Sequence, residues 1–167
     1  MAKAKNAVPE GFHTVTTSLT LDEAAKAIDW YKRALGAEEL TRATGPDGKI
    51  MHAEIRIGDS RVMLNDAMMG GKSVQEFGGS PASVWLYVAD CDALFNRAVE
   101  AGARPVMPMA DQFWGDRFGA FTDPFGYRWS VATRKEDLTP EEVTERQAAW
   151  LAGMAAQGGN QGGKGKL

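Results

Sequence analysis

Two side chains that could exchange protons with a substrate, His52 and Glu54, lie two residues apart in the segment 50–57. If this segment is a strand, both side chains point to one face with about 6.5–7 Å between their positions, so both can reach one substrate or one ion. We therefore consider them as a general acid and base, or as an unusual pair of metal ligands. The alternative is that His52 makes only surface hydrogen bonds.

Arginines and aromatic residues supply a second kind of candidate chemistry, the binding of a small molecule. A guanidinium can hold a carboxylate or a phosphate through two hydrogen bonds, and an aromatic ring can stack on a planar ligand. The candidate ligand-binding residues are Arg56, Arg61, Met63, Trp85, Tyr87, Trp114, Arg117 and Arg128. The alternative for each arginine is an exposed ion pair, which contributes only about 0–1 kcal/mol to stability.

Composition narrows the possible function classes. The chain has 167 residues, a net charge of −3, two histidines and one cysteine, which excludes a disulfide framework and a zinc cluster built from Cys and His. The acidic balance and the lack of a basic stripe argue against a nucleic-acid partner. No segment has the apolar run of a signal peptide or a membrane span, so we expect a cytoplasmic protein without a membrane partner.

The elements that position these residues occur twice. Residues 11–67 show the order strand, helix and three strands, and residues 83–134 show it again after a Gly- and Ser-containing linker at 68–82. An offset of 67 residues superposes the two halves, with a one-residue slip at the helix ends. The sequence therefore predicts an α+β fold, in which tandem βαβββ modules form a curved mixed sheet around a cavity.

Helix boundaries and chain ends complete this prediction. Asp22 is expected to cap the first helix, and Cys91 lies at the start of the second helix without a neighbouring base, so we expect an inert thiol. Thr139 and Glu142 form a capping box at the start of a C-terminal helix at 139–156, whose apolar residues pack on the body or on a second subunit. We expect an N-terminal tail at 1–10 and a disordered Gly- and Lys-rich tail at 157–167.

The alternation of side chains along each strand assigns them to faces. Met51, Ala53 and Ile55 are expected on the apolar face that meets the helices. The opposite, polar face is expected to contain Thr14, Thr16, Ser18, His52, Glu54, Arg56, Arg61, Met63, Asn65, Ser83, Trp85, Tyr87, Arg128, Ser130 and Ala132. If the sheet curls, this face lines a small-molecule cavity; if it stays open, the same residues face solvent.

Several motifs resemble the glyoxalase/bleomycin-resistance/extradiol-dioxygenase superfamily, also called vicinal oxygen chelate proteins. These are the paired βαβββ modules, AIDWY at 27–31 with LGA at 35–37, and DPFGY at 123–127. GFHTVT at 11–16, VMLNDAM at 62–68 and QFWGDRFG at 112–119 are similar to its PhnB-like branch. The resemblance covers about residues 11–134 and implies a ligand cavity formed by paired modules, often across a homodimer.

The resemblance also implies where a metal would lie. Enzymes of the superfamily place four ligands, usually His and Glu or Gln, on the first, fourth, fifth and eighth strands. Counted from the helix and turn motifs, those positions are Thr16, Met63, Ser83 and Ser130. Hydroxyl and thioether groups are poor ligands for hard divalent ions, so we expect no metal cofactor. His13 precedes the first strand and would become a ligand candidate if the register shifted.

Three function classes follow from these observations. The first is a metal-free protein that binds a small polar or anionic ligand, aromatic ligands included. The second is a lyase, isomerase or dioxygenase of the same superfamily that uses His52 and Glu54. The third is a purely structural dimeric module. The segment Gln112–Gly119 is either a lid over the cavity or a loop fixed by an Asp–Arg pair, with Phe113 and Trp114 pinned to the core.

Overall fold

The computed structural model describes residues 4–158 and contains eight strands and three helices in that range. In chain order they are β1 (Thr17–Leu21), α1 (Ala24–Leu35), β2 (Glu38–Thr44), β3 (Ile50–Ile57), β4 (Ser60–Asp66), β5 (Ser83–Tyr87), α2 (Cys91–Glu100), β6 (Arg104–Asp111), β7 (Asp116–Thr122), β8 (Arg128–Arg134) and α3 (Pro140–Gly158). The disordered tail expected at 157–167 lies outside the described residues, except for two residues at the end of α3.

The strands form two open four-stranded sheets with the same topology. The first sheet has the order β1-β4-β3-β2, and the second has the order β5-β8-β7-β6. In each sheet the first and last strands of the module pair in parallel, and the other neighbours pair antiparallel. This architecture confirms the predicted α+β fold of tandem βαβββ modules with a C-terminal helix.

The internal repeat is visible in the strand register. Ser18 lies opposite Met63 in the first sheet, and Trp85 lies opposite Ser130 in the second, which is the predicted offset of 67 residues. Glu54 lies opposite Met63, whereas Ala120 lies opposite Ser130, so β3 and β7 are related by an offset of 66. The offset is already 66 at the start of β2 and β6, after the slip at the helix ends, and it returns to 67 in β4 and β8 because the turn between β7 and β8 is longer than the turn between β3 and β4.

The two helices join the modules through one shared core. The indole Nε1 of Trp30 in α1 donates to the carbonyl of Ala101 at 2.8 Å, and Arg97 Nε in α2 donates to the carbonyl of Ala34 at 2.8 Å. Tyr31 is fully buried in the same core. The modules are therefore packed back to back on their apolar faces, which leaves the polar face of each sheet outside the core.

The helix starts are held by the last strand of each module. The Asp66 carboxyl accepts from the Ala24 and Ile50 amides, both at 2.7 Å. At the equivalent place in the second module, the Thr133 hydroxyl accepts from the Cys91 amide at 2.9 Å. The expectation that Asp22 caps α1 was wrong, because a residue 42 positions away in sequence supplies the acceptor.

Two further expectations about strands need correction. The first strand begins at Thr17 and not at Thr14, because the Thr16 hydroxyl donates to the His13 carbonyl at 3.3 Å and closes a turn. Met51 is 51% exposed, whereas Ile50 is buried. An irregularity in the pairing of β2 with β3, between Ala43 and Thr44, accounts for this local change of face.

The C-terminal helix has the predicted capping box and a largely exposed surface. The Thr139 amide donates to Glu142 Oε2 at 2.8 Å, and the Glu142 amide donates to the Thr139 hydroxyl at 3.2 Å. Trp150 packs on Phe113 with ring centroids 5.5 Å apart, while about half of the Leu151 side chain stays exposed.

Across the described helices, none combines the length and the apolar character required to cross a bilayer.

Candidate functional site

A cleft of about 540 Å³ lies between the start of β1, the β3–β4 turn and strand β5. Of the residues selected from the sequence, Thr16, Arg61, Trp85 and Tyr87 line it, together with His13. The cleft therefore brings together one cation and two aromatic residues from different modules. Its position at the edges of the two sheets explains why both halves of the repeat contribute to it.

Arg61 is anchored within this cleft by the first module. Its Nη1 donates to Glu54 Oε2 at 2.6 Å, and its guanidinium carbon lies 4.8 Å from the centroid of the Phe12 ring. Gly11 has a φ of +77°, and a Cβ built there would lie 2.8 Å from Arg61 Nε. The N-terminal segment therefore crosses close to Arg61, and the positive φ at that crossing favours glycine.

His52 and Glu54 are neighbours, as their spacing predicts. His52 Nε2 and Glu54 Oε1 are 3.3 Å apart, and the other carboxylate oxygen of Glu54 holds Arg61. Neither His52 nor Glu54 lines the cleft. Glu54 thus bridges a half-exposed imidazole and the cleft arginine, and it affects the cleft through Arg61.

The second sheet carries an aromatic cluster, which consists of Trp85, Tyr87, Trp114 and Phe118. Trp85 stacks on Phe118 with ring centroids 4.8 Å apart and an interplanar angle of 18°. Trp114 contacts Phe118 edge to face at 5.9 Å. Trp85 and Tyr87 remain 43% and 62% exposed, so the cluster presents aromatic surface to the cleft.

A buried carboxyl group, Asp116, organises this aromatic cluster. Its Oδ2 accepts from the Tyr87 hydroxyl at 2.9 Å and from Trp114 Nε1 at 3.1 Å. Asp116 is 2% exposed, and its Oδ1 has no partner among the described residues. The pKa of Tyr87 is raised mainly by its hydrogen bond to Asp116 and to a smaller extent by burial. This tyrosine is therefore a neutral donor at physiological pH.

Arg117 does not belong to the ligand face, which corrects the expectation from the sequence. It follows Asp116 in β7 and points to the opposite face, where Nη2 donates to Asp92 Oδ1 in α2 at 2.7 Å and Nη1 donates to Asp111 at 3.2 Å. The hydrogen bond from Arg117 lowers the pKa of Asp92. The segment 112–119 is a hairpin connection fixed by these pairs, and Asp116 is not the partner of Arg117.

The remaining candidate arginines and Met63 lie on the expected face but outside the cleft. Arg56 forms an ion pair with Glu38 across the β2–β3 pair. Arg128 lies in a separate cavity, where its Nη2 is 3.6 Å from Met107 Sδ. Met63 is half-buried opposite Glu54. The cleft therefore assembles only part of the ligand-binding set that the sequence suggested.

The four positions at which the resemblance implies metal ligands do not fit a hard divalent ion. Thr16, Met63, Ser83 and Ser130 offer hydroxyl and thioether groups without a carboxylate or an imidazole. Ser130 is also buried. Within residues 4–158, no three His, Cys, Asp or Glu side chains come together in a metal-binding arrangement. We therefore derive no chemistry through a metal at these positions.

Sequence reasoning missed two contributors to the site. Asp116 lies two residues before Phe118, and that spacing in a strand could have placed it on the aromatic face. The contact of Phe12 with Arg61 had no signal in the sequence, because it joins a segment before β1 to the start of β4.

Comparisons with known proteins agree with this architecture. The glyoxalase/bleomycin resistance protein/dioxygenase superfamily matches residues 12–131. An uncharacterised protein of Mycobacterium bovis is 46% identical over 145 residues, which cover 84% of this chain and 91% of the relative. TioX from Micromonospora sp. ML1 is 28% identical with a TM-score of 0.59, and the match covers 73% of this chain and 98% of TioX.

Two more distant structures share the fold. A PhnB protein from Bacillus cereus is 16% identical with a TM-score of 0.60, and the match covers 72% of this chain and 99% of that protein. TnmS3, an antibiotic-binding protein from Streptomyces sp. CB03234, is 23% identical with a TM-score of 0.58, over 78% of this chain and 99% of TnmS3. The chain belongs to the glyoxalase/bleomycin resistance protein/dioxygenase superfamily.

Proposed function

We propose that this protein binds a small planar organic molecule with polar or anionic groups in the cleft, and that binding needs no divalent metal. The observation that carries the proposal is the exposure of Trp85 and Tyr87 beside Arg61. Exposure of large aromatic side chains on an open sheet face is unfavourable in water, so such a surface typically marks a place where a ligand or a partner covers it. A planar ligand stacked on Trp85 would cover both rings.

The dimensions and chemistry of the cleft support a ligand of this class. Its volume of about 540 Å³ lies within the range of small-molecule sites. Arg61 already shares one N–H with Glu54, which orients the guanidinium and leaves other donors for an anionic or carbonyl group on the ligand.

The donor set supports binding without a metal. Thr16, Met63, Ser83 and Ser130 lack the charge and basicity that hold Mg²⁺, Zn²⁺ or Fe²⁺. TnmS3, which has the same fold, is described as an antibiotic-binding protein, so binding of an organic molecule is a known use of this architecture.

We also propose that the protein acts as a homodimer. The apolar side chains Trp150, Leu151 and Met154 of α3 are each about half exposed, and the aromatic face of the second sheet is open. A second copy that covers both surfaces would enclose the cleft. Light scattering coupled to size exclusion is expected to give a mass of twice 18.0 kDa. A monomer at micromolar concentration would contradict the dimer.

Ligand binding is tested with 1-anilinonaphthalene-8-sulfonate, a planar aromatic anion. Trp85→Ala is expected to weaken its binding about tenfold, because loss of a stacking partner costs on the order of 1–1.5 kcal/mol. Arg61→Gln is expected to weaken it several-fold. The matched control is Phe77→Ala, which removes an exposed aromatic side chain outside the cleft and is expected to leave the affinity unchanged. Equal losses in Trp85→Ala and Phe77→Ala would refute the cleft as the binding site.

Metal independence is tested on the purified protein by elemental analysis and by thermal unfolding with added Mg²⁺, Zn²⁺ and Ni²⁺. We expect less than a stoichiometric amount of any ion and no stabilisation that saturates. A stoichiometric ion that is lost in His52→Ala would overturn the metal-free proposal.

The second candidate function is proton-transfer catalysis by His52 and Glu54, favoured by their 3.3 Å contact. Turnover of an organic substrate by the purified protein would then fall at least about a hundredfold in His52→Ala, with binding of that substrate retained. Unchanged turnover in that variant would exclude this role.

A further inference from the structure

We propose that the second module contains an oxyanion site that is separate from the cleft and is formed by Arg104, Thr122 and Arg128. We refer to these three residues as the arginine row. The ligand class is a phosphate-type dianion, either free or as part of a larger molecule. The proposal rests on strand register, on charge pairing and on comparison of the two modules.

The strand register places the three side chains of the arginine row on one face. Arg104 in β6 lies opposite Thr122 in β7, and Thr122 lies opposite Arg128 in β8. Directly opposed residues in antiparallel strands share a face, and adjacent strands are about 4.8 Å apart. The two guanidinium groups therefore flank one hydroxyl group. All three residues line a cavity of about 510 Å³, closed on one side by residues 78–80 of the linker.

The donors of the arginine row are not used within the described part of the chain. Within residues 4–158, neither Arg104 nor Arg128 forms an ion pair with an acidic residue, and the side-chain hydrogen bond of Arg128 goes to the sulfur of Met107. The adjoining linker donors are already occupied, because Ser80 bonds to Ala82 and the Gly79 amide bonds to the Val74 carbonyl. An anion in this cavity would therefore be held by the arginine row.

At the equivalent positions of the first module, the arginine charges are neutralised by acidic residues of the same module. The residues equivalent to the arginine row are Glu38, Arg56 and Arg61, which lie opposite one another in the same way. Arg56 pairs with Glu38, and Arg61 pairs with Glu54. In the second module, Arg104 occupies the position of Glu38, and Ala120 occupies the position of Glu54. Both acids are thus replaced, so the described part of the chain offers no acidic partner for the two positive charges of the arginine row.

The charge of the arginine row favours a dianion over a single carboxylate. Two guanidinium groups supply two positive charges and several N–H donors in a fork that fits phosphate oxygens, and the Thr122 hydroxyl adds a donor between them. A phosphate group carries about −1.5 to −2 at neutral pH and offers three acceptor oxygens. A carboxylate supplies half of that charge.

The site is tested by calorimetric titration of the full chain with inorganic phosphate, at an ionic strength held constant with chloride. Arg104→Glu and Arg128→Gln are each expected to weaken phosphate binding about tenfold or more, and Thr122→Val several-fold. The matched control is Arg134→Gln, because Arg134 is also exposed but is paired with Asp137 outside this cavity. Should Arg104→Glu fail to fold, Arg104→Gln at the same exposed position replaces it.

Three results would overturn the proposal: no saturable phosphate binding, an equal loss in Arg134→Gln, or acetate binding as tight as phosphate binding. The outcome is independent of the proposed cleft. Trp85→Ala is expected to lose the aromatic sulfonate but to retain phosphate, and Arg128→Gln is expected to show the reverse.

Discussion

The polar faces of the two modules differ although their topology and register are the same. On the first sheet, charged side chains satisfy one another, since Glu54 contacts both His52 and Arg61. On the second sheet, the equivalent surface is aromatic around Trp85, and at its other end are arginines that form no ion pair within residues 4–158. Two repeats of one βαβββ topology therefore differ: the charged side chains of one face pair with one another, and the described residues leave two arginines of the other face without an acidic partner.

In the two sites that we propose, the second module supplies most of the side chains that would contact a ligand, and the first module supplies support. Arg61, which lines the cleft, is the exception, and it is held by Glu54 and Phe12. The predictions below alter one module at a time, so that each module's role can be separated.

The largest expected effect concerns the residues that hold the helix starts. Asp66→Ala leaves the buried amides of Ala24 and Ile50 without acceptors, which is expected to lower the free energy of unfolding by about 2–5 kcal/mol. Thr133→Val removes the acceptor of one amide, Cys91, and the hydroxyl donor to the Val88 carbonyl, and is expected to cost about 1–2 kcal/mol. Denaturant titrations of the two variants measure both values. Equal losses would show that the two helix starts depend on their strands to the same extent.

An intermediate effect on the free energy of unfolding is expected at the longer turn between β7 and β8 of the second module. Asp123 accepts from Tyr31 and from Trp129 Nε1, both at 2.8 Å, and ties α1 to the second sheet. Asp123→Asn is expected to destabilise the protein by about 1–3 kcal/mol, because an amide cannot accept on both of its sides. Asp59→Asn in the shorter turn of the first module is the control, since Asp59 is exposed, and it is expected to change stability by less than about 0.5 kcal/mol.

The effect of Asp123→Asn on stability is also expected to depend on pH. Burial raises the pKa of Asp123 above its ordinary value. A raised pKa in the folded state means that the stability contributed by this group is fully present below the unfolded-state pKa and is lost as the pH rises through the folded-state pKa. The stability advantage of the natural protein over Asp123→Asn is therefore expected to be largest near pH 4 and to shrink toward neutral pH. An advantage that grows with pH would contradict this assignment.

The success and failure of sequence reasoning follow the range of the interactions involved. Strand alternation and the 67-residue offset predicted the faces of His52, Trp85 and Ser130, because those features depend on local period and on repetition. Met51 was misplaced because the irregularity beside it is imposed by the neighbouring strand. Arg117 was misplaced because its partner, Asp92, lies in a helix 25 residues earlier in the sequence. Contacts of this kind depend on how elements pack, which one sequence does not display.

The composition of the cleft shows the same limit. The sequence predicted Thr16, Arg61, Trp85 and Tyr87 as members of one polar face, and they do line one cleft. It could not show that Arg56 is neutralised by Glu38, since that pair depends on the β2–β3 register. Residue type and alternation therefore identify which side chains can reach a site, and the charge pairing between strands decides which of them remain available to a ligand.

The smallest effect on stability, and the sharpest test of the comparison, is expected from removal of the acids in the first module. In the double variant Glu38→Gln/Glu54→Gln, the guanidinium groups of Arg56 and Arg61 lose their partners, and the free energy of unfolding is expected to fall by only about 1 kcal/mol because these pairs are partly exposed. The first module then has the same unpaired charge as the arginine row of the second.

If charge pairing is what separates the two faces, calorimetric titration of this double variant with inorganic phosphate shows about one additional equivalent bound, with an affinity comparable to that of the arginine row. The double variant Glu39→Gln/Glu136→Gln serves as the control, because those acids pair with Arg42 and Arg146 outside both faces, and its stoichiometry is expected to stay unchanged. An unchanged stoichiometry in Glu38→Gln/Glu54→Gln would mean that the aromatic and hydroxyl groups of the second face, and not the missing acids, make it receptive to an anion.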